Sequence, residues 1–467
     1  MRHANSYYND LKMYAGNLDI PLSPKGIECA LDFGKEFEYK NFDMVFVSEQ
    51  SRSYETAILF LSQIKELDKI PIKLNSRSEL DNFDTNKYLP IFSYAELNER
   101  DYGILQNKEK NESEKKFGKE TIRRWRREFD DGPMGGEKFT EIVSRVANFY
   151  YDILLPYMHS YDVLIVAHQN SIRALYYLMF NVLKDEVDDI EFSNGQILHI
   201  HFDKNASIND SHPKNVIVMS AGKGKRMGKM TANTPKSLLD INGHTLIDYS
   251  LSFIAQNEQY RASIIYGHLA EKWNGIINKY HKYNGRIEFL KTNKNETYEK
   301  QLISSYLKIE KKSNYFIIYS ADVLFDYRLF DVAISHHIKK NAAITVVLSK
   351  DKGRWKKWKY NFENDRIKDI FISNTQQPYE RFFFVINKEI MDKYIEMRMT
   401  NNFEENSNYG EGACFMIKNL ITMQIPINYL MLNDMLINVN DSTDFEFAKK
   451  FISEQNHNIY NYMNRDL

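Results

Sequence analysis

Cysteine is almost absent: only Cys29 and Cys414 occur in 467 residues, one in each half of the chain. Two thiols exclude a disulfide framework and leave no thiolate set for a structural metal site. Long apolar runs are missing as well. No uncharged stretch approaches the roughly 18–20 residues that span a bilayer, and the first residues have no apolar segment of signal-peptide type. A cytoplasmic chain without a membrane partner is expected. Charge of one sign is lacking too: 62 Lys and Arg face 63 Asp and Glu, for a net charge of −1. No global positive field favours nucleic acid, although local basic clusters can still hold small phosphates. Glycine and proline are few while tyrosine and phenylalanine abound, and no function follows from that.

What is there is length and alternation. A chain of 467 residues suits two domains of about 200 each. Short β-type runs at 44–47, 163–166, 197–202, 216–219, 264–266, 315–319 and 344–348 alternate with helical patterns such as 25–38 and 140–154. This alternation predicts an α/β fold with largely parallel sheets. The polar stretch 203–214, DKNASINDSHPK, is the best boundary. It divides the chain into domains at 1–204 and 215–467 joined by a linker at 205–214. A second polar stretch, 106–119, reads as an exposed insertion or a helix. The halves show no repeat and no likeness to each other.

In the second half, a strand at 215–220 leads into Ala221-Gly222-Lys223-Gly224-Lys225-Arg226. A glycine pair after a buried strand lets backbone N–H groups approach an anion, and Lys225 and Arg226 add fixed positive charge. Such a turn alone is a weak signal. Thr234-Pro235-Lys236-Ser237-Leu238 and Asn242-Gly243-His244-Thr245-Leu246 follow it. With these the segment 221–251 resembles the signature of the sugar-phosphate nucleotidyltransferases, closest to the choline-phosphate cytidylyltransferase branch. The resemblance implies a Rossmann-like three-layer αβα domain whose loop Ala221, Gly222, Gly224, Lys225 and Arg226 wraps a nucleoside triphosphate. It implies that Lys236 contacts phosphate, where a cation offsets charge gathering at the attacked phosphorus. The apolar run 315–319 ends near Asp322. By the same resemblance Asp322 and Asn440, with Asp441 as the fallback, hold Mg²⁺, a cation satisfied by few protein oxygens plus phosphate oxygens. A helix N-cap is the plainer role for Asp322. Gln301 and Ser304 lie in a segment similar to the one that contacts base and acceptor. Trp355, Trp358 and Tyr360 cluster with Arg354, Lys356 and Lys357. They suit a quaternary amine, a phosphorylated sugar, or simply an amphipathic surface strand.

In the first half, five ordered pieces stand out: Arg2-His3-Ala4-Asn5, Ser48 to Thr56 with Arg52 inside, Leu97 to Gly103 with Glu99 inside, Trp125-Arg126-Arg127, and Ala167-His168-Gln169-Asn170-Ser171. In that order they resemble the histidine phosphatase superfamily, the phosphoglycerate mutase group in particular, and imply a second three-layer αβα domain. The resemblance makes His3 the nucleophile. Arg2, Arg52 and His168 surround the phosphoryl oxygens, and Glu99 protonates the leaving oxygen. Arg126 and Arg127 suit a second anionic group. His168 alone, at a strand end, would read as a core histidine. The family places a full strand before its Arg-His pair. Here one residue precedes it, which is expected to leave His3 on a frayed terminus. Ala4 and Gln169 replace the usual glycines and are expected to add bulk near phosphate.

Together these readings give a bifunctional enzyme of surface-polysaccharide (capsule) precursor synthesis with Mg²⁺ as cofactor. The second domain transfers a nucleoside monophosphate, CMP from CTP favoured, to a phosphorylated sugar, polyol or choline. The first hydrolyses a phosphate monoester. The alternatives are a monofunctional transferase with a non-catalytic first half, or a first half that acts as a phosphomutase. Homo-oligomerisation stays open.

Overall fold

The computed structural model describes residues 1–39, 41–65, 67–158, 160–200, 213–283, 285–325, 328–349, 358–364, 366–372, 379–400, 413–432 and 436–454. Contacts divide the chain into two compact units, Met1–Ile208 and Asn209–Leu467. Among the described residues no helix is long and apolar enough to cross a membrane.

The first unit is built on four parallel strands, β1 (Met44–Ser48), β2 (Ile70–Leu74), β3 (Tyr88–Tyr94) and β4 (Val163–Val166). Their order is β2-β3-β1-β4. β1 is buried at every position, as a central parallel strand covered on both faces should be. Helix Pro24–Glu36 leads into β1, Ser51–Gln63 joins β1 to β2, Phe139–Phe149 lies between β3 and β4, and Gln169–Phe180 follows β4. Ser23 caps the first of them, accepting from Gly26 N, with Pro24 at the opening position. The pattern at 140–154 is helical throughout, its last turn widening to a π-helix at Tyr150–Leu154. The stretch 106–119 contains the helix Lys110–Phe117. One strand expectation fails. Residues 197–200 form no strand, and 201–202 lie outside the described residues. Periodicity predicted that strand, but Ser193 to Gln196 curl into a turn in which Gln196 N donates to Ser193 O.

The chain start is not frayed, contrary to expectation. Met1 N donates to Ile165 O at 2.7 Å, Ala167 N to Met1 O, and His3 N to Ala167 O. Arg2 bridges Ala167 in parallel fashion, so residues 1–3 extend the sheet beyond β4. His3 is only 3% exposed.

The second unit has strands β5 (Lys214–Met219), β6 (Asp240–Ile241), β7 (His244–Thr245), β8 (Tyr260–Tyr266), β9 (Ile287–Lys291), β10 (Tyr315–Ser320), β11 (Val323–Phe325), β12 (Ile344–Ser349), β13 (Trp358–Glu363), β14 (Arg366–Ile372), β15 (Tyr379–Asn387), β16 (Ile427–Leu432) and β17 (Leu436–Asn438). Nine of them form one sheet, β13-β14-β16-β12-β15-β10-β5-β8-β9. β10, β5, β8 and β9 are mutually parallel, whereas β15 runs antiparallel to both β10 and β12. The sheet is therefore mixed rather than largely parallel. β13 and β14 form an antiparallel pair with only two residues between them, too few for a helical crossover. Ile217, Phe316, Ile318, Val346 and Phe384 are fully buried in its core, each side chain contributing about 1.5–3 kcal/mol on burial. β11 and β17 pair separately, Val323 opposite Asn438.

Candidate active sites

In the first unit the parallel strands end together, so the loops after β1 and β4 meet residues 2–4. His3 and His168 face each other with ring centroids 4.8 Å apart. His3 Nδ1 lies 2.6 Å from Ala4 O. A carbonyl can only accept, so Nδ1 carries the proton and Nε2 keeps its lone pair. Burial lowers the His3 pKa well below that of free imidazole, and the Arg52 and Arg2 guanidinium groups lower it further. His168 is held neutral in the same way, by burial and then by Arg52, His3 and Arg2. Its Nε2 lies 2.7 Å from Ser48 Oγ, and its buried Nδ1 has no partner among the described residues. A neutral imidazole with an open lone pair beside two guanidinium groups can attack an electrophilic phosphorus.

The surrounding residues are fixed by backbone bonds. Arg52 is buried and donates to Leu18 O at 2.8 Å and Gly16 O at 2.9 Å. Arg2 donates to Phe192 O at 2.5 Å, while its buried Nε has no partner among the described residues. Glu99 Oε1 accepts from Arg100 N and from Asn170 Nδ2 at 3.0 Å. Its Oε2 takes no hydrogen bond among the described residues. Arg126 is half-buried beside Lys110 and Tyr14. Burial, then the nearby Arg126 and Arg2 charges, lower the Lys110 pKa. Arg127 instead donates to Asp188 O at 3.0 Å and pairs with Glu191.

Both replacement side chains are tied into their surroundings. The Ala4 side chain is fully buried in a cluster with Leu22 and Ala30. The Gln169 side chain turns to the following loop, donating to Ile190 O at 3.2 Å and accepting from Phe192 N at 3.0 Å.

In the second unit the loop Ser220 to Arg226 leaves the end of β5 beside the end of β10, with Ala321 N donating to Met219 O. Gly224 adopts φ +60°, and a Cβ there would meet Thr231 Cγ2 at 3.0 Å and Lys236 Cβ at 3.2 Å. Only glycine lets the loop lie so close to Lys236. Gly222 has nothing within 4 Å of a Cβ position, leaving its backbone open to a ligand. Ala221 is buried, Arg226 is exposed, and the Lys225 side chain lies outside the described set. Lys236 Nζ lies 2.5 Å from Asp322 Oδ2. Burial pushes the Asp322 carboxyl pKa up, but the Lys236 charge and hydrogen bonds from Lys236 and Ser320 outweigh it, and the pKa falls below the usual value. Asp322 sits in the turn between β10 and β11, not at a helix start. Val439 N donates to Asp322 O at 2.9 Å, which brings Asn440 alongside.

Among the described residues no cluster of three or more His, Cys, Asp or Glu could cage a metal. An ionised carboxylate at Asp322, with Asn440 next in sequence to the residue bonded to the Asp322 carbonyl, is nevertheless the kind of oxygen donor that suits a hard cation completing its shell with phosphate oxygens. Asp441 is turned inward on its own helix, accepting from Thr443 N and Asp444 N. Gln301 is buried and donates to Asn293 O at 3.0 Å, and Ser304 donates to Gln301 O. Residues 354–357 and the Trp358 side chain lie outside the described set, and Tyr360 is buried.

Comparison with known proteins decides the family of each half. The family model for the histidine phosphatase superfamily (branch 1) matches residues 1–86 and 79–211, and that for nucleotidyl transferases matches 215–356. The 2,3-bisphosphoglycerate-dependent phosphoglycerate mutase of Protochlamydia amoebophila is 32% identical over 204 residues, 42% of this chain and 90% of that protein. The chain joins a histidine phosphatase superfamily domain to a nucleotidyltransferase domain. The mutase of Chlamydia abortus is 30% identical over 203 residues, 42% of this chain and 89% of that protein. Among solved structures, an inositol-1-phosphate CTP transferase from T. maritima is 16% identical with a TM-score of 0.44, over 54% of this chain and 97% of its own.

Sequence reasoning missed several residues that line the histidine phosphatase site. Lys110 lies in a stretch read as an exposed insertion or a helix, and Tyr14, whose ring centroid is 5.2 Å from that of Tyr102, stands in no motif. Asn170 and Ser48 were inside quoted motifs, where neighbours of stronger chemistry masked them. In the nucleotidyltransferase domain the Lys236–Asp322 pair is 86 residues apart in sequence, and no local pattern could have joined it.

Proposed function

We propose that the chain is a bifunctional enzyme of surface-polysaccharide (capsule) precursor synthesis. Its nucleotidyltransferase domain transfers CMP from CTP to a phosphorylated sugar, polyol or choline with release of pyrophosphate. The observation that carries this is the convergence of the glycine loop, Lys236 and Asp322 at the ends of adjacent parallel strands β5 and β10. The loop amides would seat the triphosphate, and Lys236 would offset charge at the attacked phosphorus. Asp322 and Asn440 would hold Mg²⁺, which supplies Lewis-acid stabilisation of the phosphate oxygens. The preference for CTP rests on the likeness of 221–251 to the choline-phosphate branch. A pyrophosphate-release screen of four nucleoside triphosphates against phosphorylated sugars, polyols and phosphocholine tests it. CTP is expected to lead, and Asp322→Ala to lower the rate by at least about a hundredfold. Near-normal turnover of that variant would overturn the metal assignment.

The histidine phosphatase domain would hydrolyse a phosphate monoester through phosphohistidine. His3 Nε2 bonds to phosphorus as the ester oxygen leaves with a proton from Glu99, and water then takes the phosphoryl group. The neutral, buried imidazole supports this. One observation favours a second reading: Lys110 lies close enough to Arg126 and Arg2 for their charges to lower its pKa, and such a group of cations suits a substrate with a further anion, as in the relatives named phosphoglycerate mutases. Release of free phosphate supports hydrolysis, and an isomerised ester supports mutase chemistry.

A further inference from the structure

The turn after the helix Gln169–Phe180 does more than connect. Phe192 O receives the Arg2 guanidinium, Gln196 O receives Arg2 N, and Arg2 O receives Gly195 N. Asn194 Nδ2 donates to His3 O at 3.1 Å. Gly195 has φ +75°, and a Cβ there would overlap the Phe33 ring at 1.7 Å, so the turn is pressed against its support. Residues 192–196 thus form the outer wall for both the nucleophile and its neighbouring cation.

That wall is tied to the helix start by one side chain. Gln169 holds Ile190 O with its amide nitrogen and Phe192 N with its amide oxygen, bracketing Glu191. The same oxygen lies 3.4 Å from Arg2 Nη1. The Nη1 end of Arg2 is therefore committed to Phe192 O and Gln169, and its buried Nε, with no partner among the described residues, is left for another acceptor. A glycine at 169 would release Ile190 O and Phe192 N together. The Phe192 carbonyl that aims Arg2 would then have no side-chain tether.

We infer that Gln169 is a positioning residue for Arg2: it fixes the Phe192 carbonyl so that the guanidinium presents its Nε to a phosphoryl oxygen. The inference rests on the reading of the His3 pocket as a phosphoryl site. It makes the 169 side chain an added part of this site, where the expected glycine would leave that tether out.

A double-mutant cycle on the full chain tests it. The variants are Arg2→Ala, Gln169→Met, and both together. Methionine keeps the side-chain length and loses the hydrogen bonds to Ile190 O, Phe192 N and Arg2. Gln169→Gly is a second probe should methionine impair folding, which thermal melting checks. The readouts are the Kd of inorganic phosphate and the KM and kcat for p-nitrophenyl phosphate. Each single variant is expected to weaken phosphate about tenfold, the scale of a lost charge-assisted hydrogen bond. The double variant should be no weaker than Arg2→Ala alone, and the Gln169 variants should raise KM more than they lower kcat. If Arg2→Ala weakens phosphate while Gln169→Met does not, or if the two losses multiply, the positioning role is wrong and the site reading stands. If Arg2→Ala has no effect, the site reading falls and the inference falls with it.

Discussion

Lys236 Nζ and Asp322 Oδ2 stand 2.5 Å apart with both side chains largely buried, so each is the counterion of the other. A triphosphate would draw the ammonium and a divalent cation the carboxylate. Either ligand alone would strand one buried charge, and both together strand none. Mg²⁺ with CTP is expected to bind at least about tenfold more tightly than CTP in EDTA, by calorimetry. In Lys236→Met, Mg²⁺ alone should bind more tightly than it does to the wild-type protein. Equal Mg²⁺ affinity in the two proteins would refute this exchange.

His3→Ala removes the atom on which the phosphoryl group would be carried. Phosphate release from a generic ester is expected to fall to background, and labelled substrate should leave no acid-labile phosphoenzyme. Pyrophosphate release by the nucleotidyltransferase domain should be unchanged in the same preparation, which makes it an internal control for folding. Equal ester hydrolysis by variant and wild type would remove the phosphatase assignment.

The two buried histidines fix a pH dependence. Both have folded pKa values depressed below that of free imidazole, so the unfolded chain binds protons more readily. Their contribution to stability is whole above a pH of about 6.5 and is lost as pH falls from there through the folded values. Each group then gives a slope of up to about 1.4 kcal/mol per pH unit. Urea midpoints for the histidine phosphatase domain should drop across that window, and less steeply in His168→Gln. The acid limb of kcat should lie below the pKa of free imidazole, because His3 stays neutral there. An acid limb at or above it would contradict the buried, arginine-flanked imidazole.

Much of this was legible in sequence, for physical reasons. Parallel strands such as β1 and β10 are buried on both faces and announce themselves as apolar runs, and the loop after β5 needs glycine at 224, where φ is positive. Glu99, His168 and Lys236 could be placed near a site because the motifs around them resemble those of the two families. What stayed hidden depends on pairings without a local signature. The support for His3 comes from Ile165 and Ala167, more than 160 residues away. The direction of the Gln169 side chain depends on a turn whose own strand pattern was misleading. The antiparallel insertion of β15 between β10 and β12 follows from tertiary pairing, which strand periodicity does not report.

The helix Tyr298–Tyr306, which carries Gln301, is anchored by a buried charge pair. Glu299 Oε2 accepts from Arg398 at 2.7 Å, and its Oε1 accepts from the Tyr394 hydroxyl. Both members of the ion pair are less than a tenth exposed. Removing one partner would leave the other charge without compensation in a site sealed from water, which costs about 3–5 kcal/mol. Arg398→Met is expected to lower the stability of the nucleotidyltransferase domain by that order, read from its urea transition. Glu299→Gln combined with Arg398→Met should recover most of the loss, because no unpaired charge remains and Gln can still receive the Tyr394 hydroxyl. If the double variant were less stable than Arg398→Met, the pair would act through packing of the Arg398 stem rather than through its charge.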